Sequence, residues 1–145
     1  MGAVVVTGLG LVSSIGTGWS AVESSLRRLK HGFESWDRFE ELGVGPKVAA
    51  PVRGFDVSSA NPAAWIWPEG HDFDPAVVRS MPPHGIYSLV AMEEALSQSG
   101  LSRDQLVDGE TGLACASVGS MRLLNHHLKR AEASGWQRYH PLGVV

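Results

Sequence analysis

Two short apolar runs in this chain carry no helical period, while three longer stretches repeat their apolar positions every three to four residues. Residues 3–6 (AVVV) are β-branched and bounded by Thr7 and Gly8, the pattern of a buried strand covered on both faces. Residues 111–118 (TGLACASV) are small and apolar and read as a second buried strand. The helical stretches are residues 19–30, 86–98 and 121–133. The first places Trp19, Val22, Leu26 and Leu29 on one face, with Arg27, Arg28 and Lys30 near its C-terminal end and Gly32 closing it. The second sets Ile86, Leu89, Val90, Ala91, Ala95 and Leu96 on an apolar face and stops at Gly100. The third turns Leu123, Leu124 and Leu128 inward and leaves Lys129, Arg130 and Glu132 in water.

Strand, glycine-rich turn and helix at the front of the chain make an α/β entry. Gly8, Gly10, Gly16 and Gly18 let the backbone turn before the first helix. Such an entry can hold phosphate, because a helix N-terminus offers free N–H groups and the positive end of its dipole. The G-x-G-x-x-G pattern of a dinucleotide site is incomplete, however. Counting from Gly8 and Gly10, Ser13 stands where the third glycine belongs, and no second valine-rich strand ends in an acid about 20 residues on. A structural turn is the expected reading, and a nucleotide-binding Rossmann-type domain is an alternative.

Between the first two helices the texture changes. Residues 33–83 hold seven of the eight prolines, which leaves room for short elements only, such as a strand over residues 47–52. This is expected to be a loop-rich excursion within one domain. Trp65, Trp67 and Phe73 lie close together in it and read as rings that pin the loop to the body, in preference to a partner surface. His71, Asp72 and Asp74 lack a recognised metal-ligand spacing and read as solvated polarity. His126 and His127 are adjacent, so they cannot share a helical face as a metal-binding pair would.

Composition narrows the classes. In 145 residues, 43% hydrophobic content is enough for a packed core. A net charge of −3, from 12 basic and 15 acidic residues, supplies no cationic surface for nucleic acid or anionic lipid. Cys115 is the only cysteine, which excludes an intrachain disulfide and fits a reducing cytoplasm. The uncharged first 22 residues are too rich in glycine and hydroxyls for a membrane span, and no basic segment precedes the apolar run as in a signal peptide.

Taken together, VVVTGLGLVSSIG, SLRRLKHG, VVRSMPPHGIYSLVAMEEALSQSGL and TGLACASVGS resemble the N-terminal part of a β-ketoacyl-acyl carrier protein synthase, in order, over most of positions 3–124. The resemblance implies a partial thiolase-like α/β fold: most of the first of two similar halves, with residues 1–145 as an incomplete N-terminal domain. It also implies a parent enzyme that condenses an acyl thioester with malonyl carrier protein by decarboxylative Claisen chemistry, with acyl carrier protein and a second synthase chain as partners. Neither the residues nor the resemblance calls for a cofactor or a metal.

In that family the nucleophilic cysteine sits on a later strand-to-helix turn, and two histidines and a lysine come from the second half. No residue here matches them in context, so no catalytic residue is carried over and the chain alone is expected to be inactive. Cys115, in the small-residue setting Ala114-Cys115-Ala116-Ser117, echoes the nucleophile but follows the second helix directly, which favours a structural cysteine. The turn after it is where the family's glycines border the acyl pocket, making Gly119 and Val118 the candidate pocket residues. Ala116 and Val118 stand where glycine is common, and the added bulk is expected to narrow a channel or alter the turn. An insertion over residues 61–72 and the Pro82-Pro83 pair mark a divergent member. A non-catalytic module that pairs with a related chain, as chain-length factors do, is the other alternative.

Overall fold

The computed structural model describes residues 3–59, 61–117 and 119–137, with no side-chain description for Arg103, Arg122 and Leu123. The chain opens with a segment without regular structure over residues 3–11 and a tight antiparallel pair, β1 (Val12–Ser13) and β2 (Gly16–Thr17), followed by helix α1 (Trp19–Arg27). A second antiparallel pair, β3 (Glu34–Ser35) and β4 (Val48–Ala49), brackets the short helix α2 (Asp37–Glu41). Then come a 3-10 turn (Pro62–Ala64), helix α3 (Pro75–Ser80), the long helix α4 (Gly85–Ser99), the single turn α5 (Arg103–Leu106) and helix α6 (Met121–Ala133).

Helix α4 is the organising element. Ile86 is fully buried and Val90 nearly so, one helical turn apart, and they meet Trp65, Phe73 and Val78 in the main core cluster. Val12, Phe55, Val57, Trp67 and Leu89 pack around it. The proline-rich stretch is thus more than a surface excursion, since it contributes Trp65, Phe73 and Val78 to that cluster. Its aromatic rings are anchored at both ends. Trp65 Nε1 donates to the Ser59 carbonyl at 2.8 Å and Trp67 Nε1 to the His71 carbonyl at 2.9 Å, so each indole buries its apolar body without orphaning its N–H.

Helix ends follow local chemistry. Asp74 caps α3 by accepting from the Ala76 N–H at 2.7 Å, with Pro75 in the first helical position. Gly100 ends α4 in the left-handed conformation, φ 68°. Ser102 and Gln105 form a reciprocal capping box on α5, an element that the hydrophobic pattern alone does not show.

Expectations for four elements are corrected. Residues 3–6 form no assigned strand, and Val4, Val5 and Val6 are 100%, 70% and 79% exposed. Residues 111–117 likewise have no ladder partners among the described residues, and Leu113 is exposed. A strand needs a hydrogen-bonded neighbour, and β-propensity records a fit to a half-buried pleated surface rather than a backbone state of its own. Helix α1 ends at Arg27, with Leu29 at φ 54°, so Gly32 does not close it. Its buried positions are Val22 and Ser25, while Trp19, Leu26 and Leu29 face outward. Ser25 is held inside because its hydroxyl donates to the Ile15 carbonyl at 2.7 Å. In α6, Leu124 is half-buried, Leu128 is exposed and Ala131 is the buried contact; the side chain of Leu123 lies outside the description.

Candidate functional site

The glycine entry is explained by close packing rather than by an anion. A Cβ on Gly10 would lie 1.6 Å from the Ala91 carbonyl oxygen, and one on Gly8 would lie 2.0 Å from that of Ala95. The entry segment therefore runs directly over the small-residue face of α4, which only glycine permits. Two amides of this entry, including the first N–H of α1, are already taken by a carboxylate of α4. Glu94 Oε1 accepts from the Trp19 N–H at 2.5 Å, and Glu94 Oε2 from the Leu11 N–H at 3.0 Å. A carboxylate at the N-terminus of α1 satisfies the helix dipole and repels a second anion. That geometry sets the nucleotide-binding alternative aside.

The polar cluster at residues 71–74 is also structural. His71 Nδ1 lies 2.5 Å from Glu93 Oε2, and its ring stacks on Phe73 with centroids 5.7 Å apart. The half-buried His71 thus ties the proline-rich stretch to α4, where solvated polarity was expected. Asp74 is spent on the α3 cap. Among the described residues, no group of three or more His, Cys, Asp or Glu is arranged to hold a metal ion.

The concave feature of interest lies where the start of α4 meets the turn before α6. This cleft encloses about 500 Å³. Pro83, His84 and Tyr87 form one wall, Ala116, Ser117 and Gly119 the other, with Val57 closing one side. The Pro82-Pro83 pair builds the first wall. Pro82 holds Met81 extended and so stops α3, and its carbonyl accepts from the Gly85 N–H at 2.8 Å, which sets the direction of α4. Tyr87 is braced from behind by Phe55, edge to face at 4.8 Å.

The second wall is tied to the first by polar contacts. Ser117 Oγ lies 2.7 Å from His84 Nε2 and also accepts from the Gly119 N–H at 3.1 Å. His84 occupies the N-cap position of α4, but its side chain makes no cap hydrogen bond, so the ring is available to the cleft. Gly119 has φ +78°, and among the described residues no atom lies within 4 Å of where its Cβ would stand. The glycine is needed there for backbone freedom, and a side chain added to it would meet open space.

Of the residues singled out from the sequence, Gly119 lines the cleft, Val118 lies outside the described residues, and Cys115 is an exposed free thiol that is not among the cleft-lining residues. Ala116 lines the cleft as well. Sequence reasoning missed the pairing of His84 with Ser117. The one available signal was the unusual position of a histidine after two prolines at a helix start, and nothing in the sequence set it opposite Ser117.

Comparison with known proteins decides the family. The sequence pattern described as "Beta-ketoacyl synthase, N-terminal domain" matches residues 1–141. The chain belongs to the β-ketoacyl synthase family. Among curated relatives of this synthase domain, 3-oxoacyl-[acyl-carrier-protein] synthase 1 of Haemophilus influenzae is 33% identical over 121 residues, 83% of this chain and 27% of the relative. The enzyme of the same name from Escherichia coli K12 is 31% identical over 120 residues, 82% of this chain and 26% of the relative. The chain thus spans about a quarter of the length of these relatives.

Solved structures give the fold. A β-ketoacyl synthase from Burkholderia phymatum superimposes with a TM-score of 0.71 at 24% identity, over 96% of this chain and 32% of that one. The ishigamide ketosynthase/chain length factor gives 0.63 at 26% identity, over 97% and 32%. The synthase chain therefore has a partial thiolase-like fold, as the order of its motifs predicts. Among the described residues, no helix is long and apolar enough to cross a membrane.

Proposed function

We propose that this chain is the N-terminal part of a 3-oxoacyl-acyl carrier protein synthase, and that the Gly119 cleft borders the acyl group during condensation. The observation that carries the reading is the 33% identity to a curated enzyme of that name over 83% of the chain. The cleft is suited to the task, since Val57, Pro83, Tyr87 and Ala116 give it apolar walls for an alkyl chain. In this reading acyl carrier protein is the partner that delivers both thioesters, and a second synthase chain is the subunit partner.

The condensation itself requires a thiolate to carry the acyl group and donors that stabilise the enolate left when malonyl carrier protein loses carbon dioxide. Cys115 is a poor candidate for the thiolate. It is exposed, and among the described residues no base or cation is placed against it to activate a nucleophilic cysteine. We therefore assign the nucleophile to sequence outside these 145 residues. Incubation of the purified chain with acyl- and malonyl-carrier protein is expected to give no 3-oxoacyl product, whereas the native-source synthase is expected to give it. Product formed by the 145-residue chain alone, and lost on Cys115→Ser, would overturn the assignment.

A non-catalytic, chain-length-factor-like role is the second reading. It is favoured by the likeness to a ketosynthase/chain length factor and by the exposed apolar positions Val4, Val6 and Leu113. A stable complex with a catalytic synthase chain, without thiol acylation of this one, distinguishes it.

A further inference from the structure

The cleft holds a hydroxyl and an imidazole in direct contact that the condensation does not use. Ser117 Oγ and His84 Nε2 are 2.7 Å apart, within the reach a base needs to take a proton from a nucleophile. The Gly119 N–H donates to the same Oγ at 3.1 Å, filling one lone pair, and with His84 in its Nδ1–H tautomer the hydroxyl proton is directed at Nε2. Ser117 is exposed, so an electrophile can reach it, while His84 is half-buried at the head of α4. Apolar surface from Pro83, Tyr87 and Ala116 lies beside the pair.

We propose that Ser117 and His84 act as a nucleophile and base, and that the cleft accepts an acyl group onto Ser117 from small activated esters and thioesters. Ser117 Oγ attacks the carbonyl carbon as His84 Nε2 takes the hydroxyl proton. The tetrahedral intermediate then collapses, the C–O or C–S bond to the leaving group breaks, and the imidazolium returns its proton to the departing oxygen or sulfur. The product is an acyl ester on Ser117 with His84 neutral again. The proposal uses the same cleft as the reading above but needs neither carrier protein nor condensation, so the two can fail separately.

The test treats the purified chain with p-nitrophenyl hexanoate, follows p-nitrophenolate release, and locates the adduct by acid quench, intact mass and peptide mapping. The expected result is one hexanoyl group on Ser117, absent in Ser117→Ala. His84→Asn, which keeps a hydrogen-bonding side chain without a base, is expected to slow release by about 100-fold or more, with an unchanged circular dichroism spectrum. Absence of an adduct on the unmodified chain overturns the proposal. An adduct on Cys115 or on lysines, or one that survives His84→Asn at full rate, also overturns it. Because the first measurement is made on the unmodified chain, it stands even if a variant fails to fold.

Discussion

The backbone N–H of Trp19 donates to the carboxylate of Glu94 at 2.5 Å, across 75 residues of sequence. The same carboxylate also accepts from Leu11, and Gln98 Oε1, one turn further along α4, accepts from the Leu9 N–H at 3.1 Å. One face of α4 therefore supplies side-chain acceptors for an entry loop that has few other places to send its amides. Glu94→Ala removes an acceptor for two N–H groups and is expected to cost about 1–3 kcal/mol. Glu94→Gln, which keeps one acceptor oxygen, is expected to lose less. Urea denaturation of the three proteins measures the order.

The close approach of the entry segment to α4 gives a second prediction. A methyl group at Gly10 would overlap the Ala91 carbonyl, and backbone cannot move aside as a flexible side chain can. Gly10→Ala is expected to destabilise the fold by about 1–3 kcal/mol or more. Gly43→Ala serves as a comparison: it has φ 64° but open space around it, so only the conformational penalty applies, about 1 kcal/mol. Thermal melts of the two variants should separate overlap from backbone strain.

Ile86 is the most completely buried large side chain of the described core. Its truncation to alanine opens a cavity against Trp65 and Phe73, with an expected cost of about 2–5 kcal/mol. Tryptophan fluorescence should shift to the red in Ile86→Ala as water reaches Trp65. An unshifted spectrum would place the packing of that ring elsewhere.

At the cleft, Gly119→Ile carries two effects with different readouts. The positive φ makes any β-branched residue strained, lowering stability by about 1–2 kcal/mol. The side chain also occupies space that the acyl group is proposed to use. In the native-source synthase the variant is expected to shorten the longest acyl primer accepted, while short primers are still elongated. Equal loss with short and long primers would show that the strain, not the volume, matters.

How far the sequence reveals this molecule varies from element to element. Helix α4 runs Gly85–Ser99 where periodicity places residues 86–98, and α6 occupies the stretch read for it, because their apolar spacing and the Gly100 stop are local signals. The runs at residues 3–6 and 111–117 have strand chemistry but no ladder among the described residues, since pairing depends on what lies alongside and not on the run itself. Burial of Trp65 and Phe73 was legible as aromatic anchoring. The swap of solvated polarity for a His71–Glu93 contact was not, because the two residues meet only once the proline-rich stretch folds back on α4. The family motif singles out Gly119, and the structure gives it a positive φ at the cleft; its place beside an acyl group is a proposal. His84 opposite Ser117 was not legible, since the contact spans 33 positions and no pattern links them.

That residues 3–6 have no ladder partner among the described residues has a consequence for exchange with solvent. Amides in the middle of α4, behind Ile86 and Val90, should open only with the whole fold and exchange slowest in deuterium oxide. Those of Val4 to Val6 and of the Leu113 segment should exchange at nearly the rate of a free peptide, because water already reaches them. Protection gained there on mixing with another synthase chain would map, amide by amide, where that chain adds its own strands.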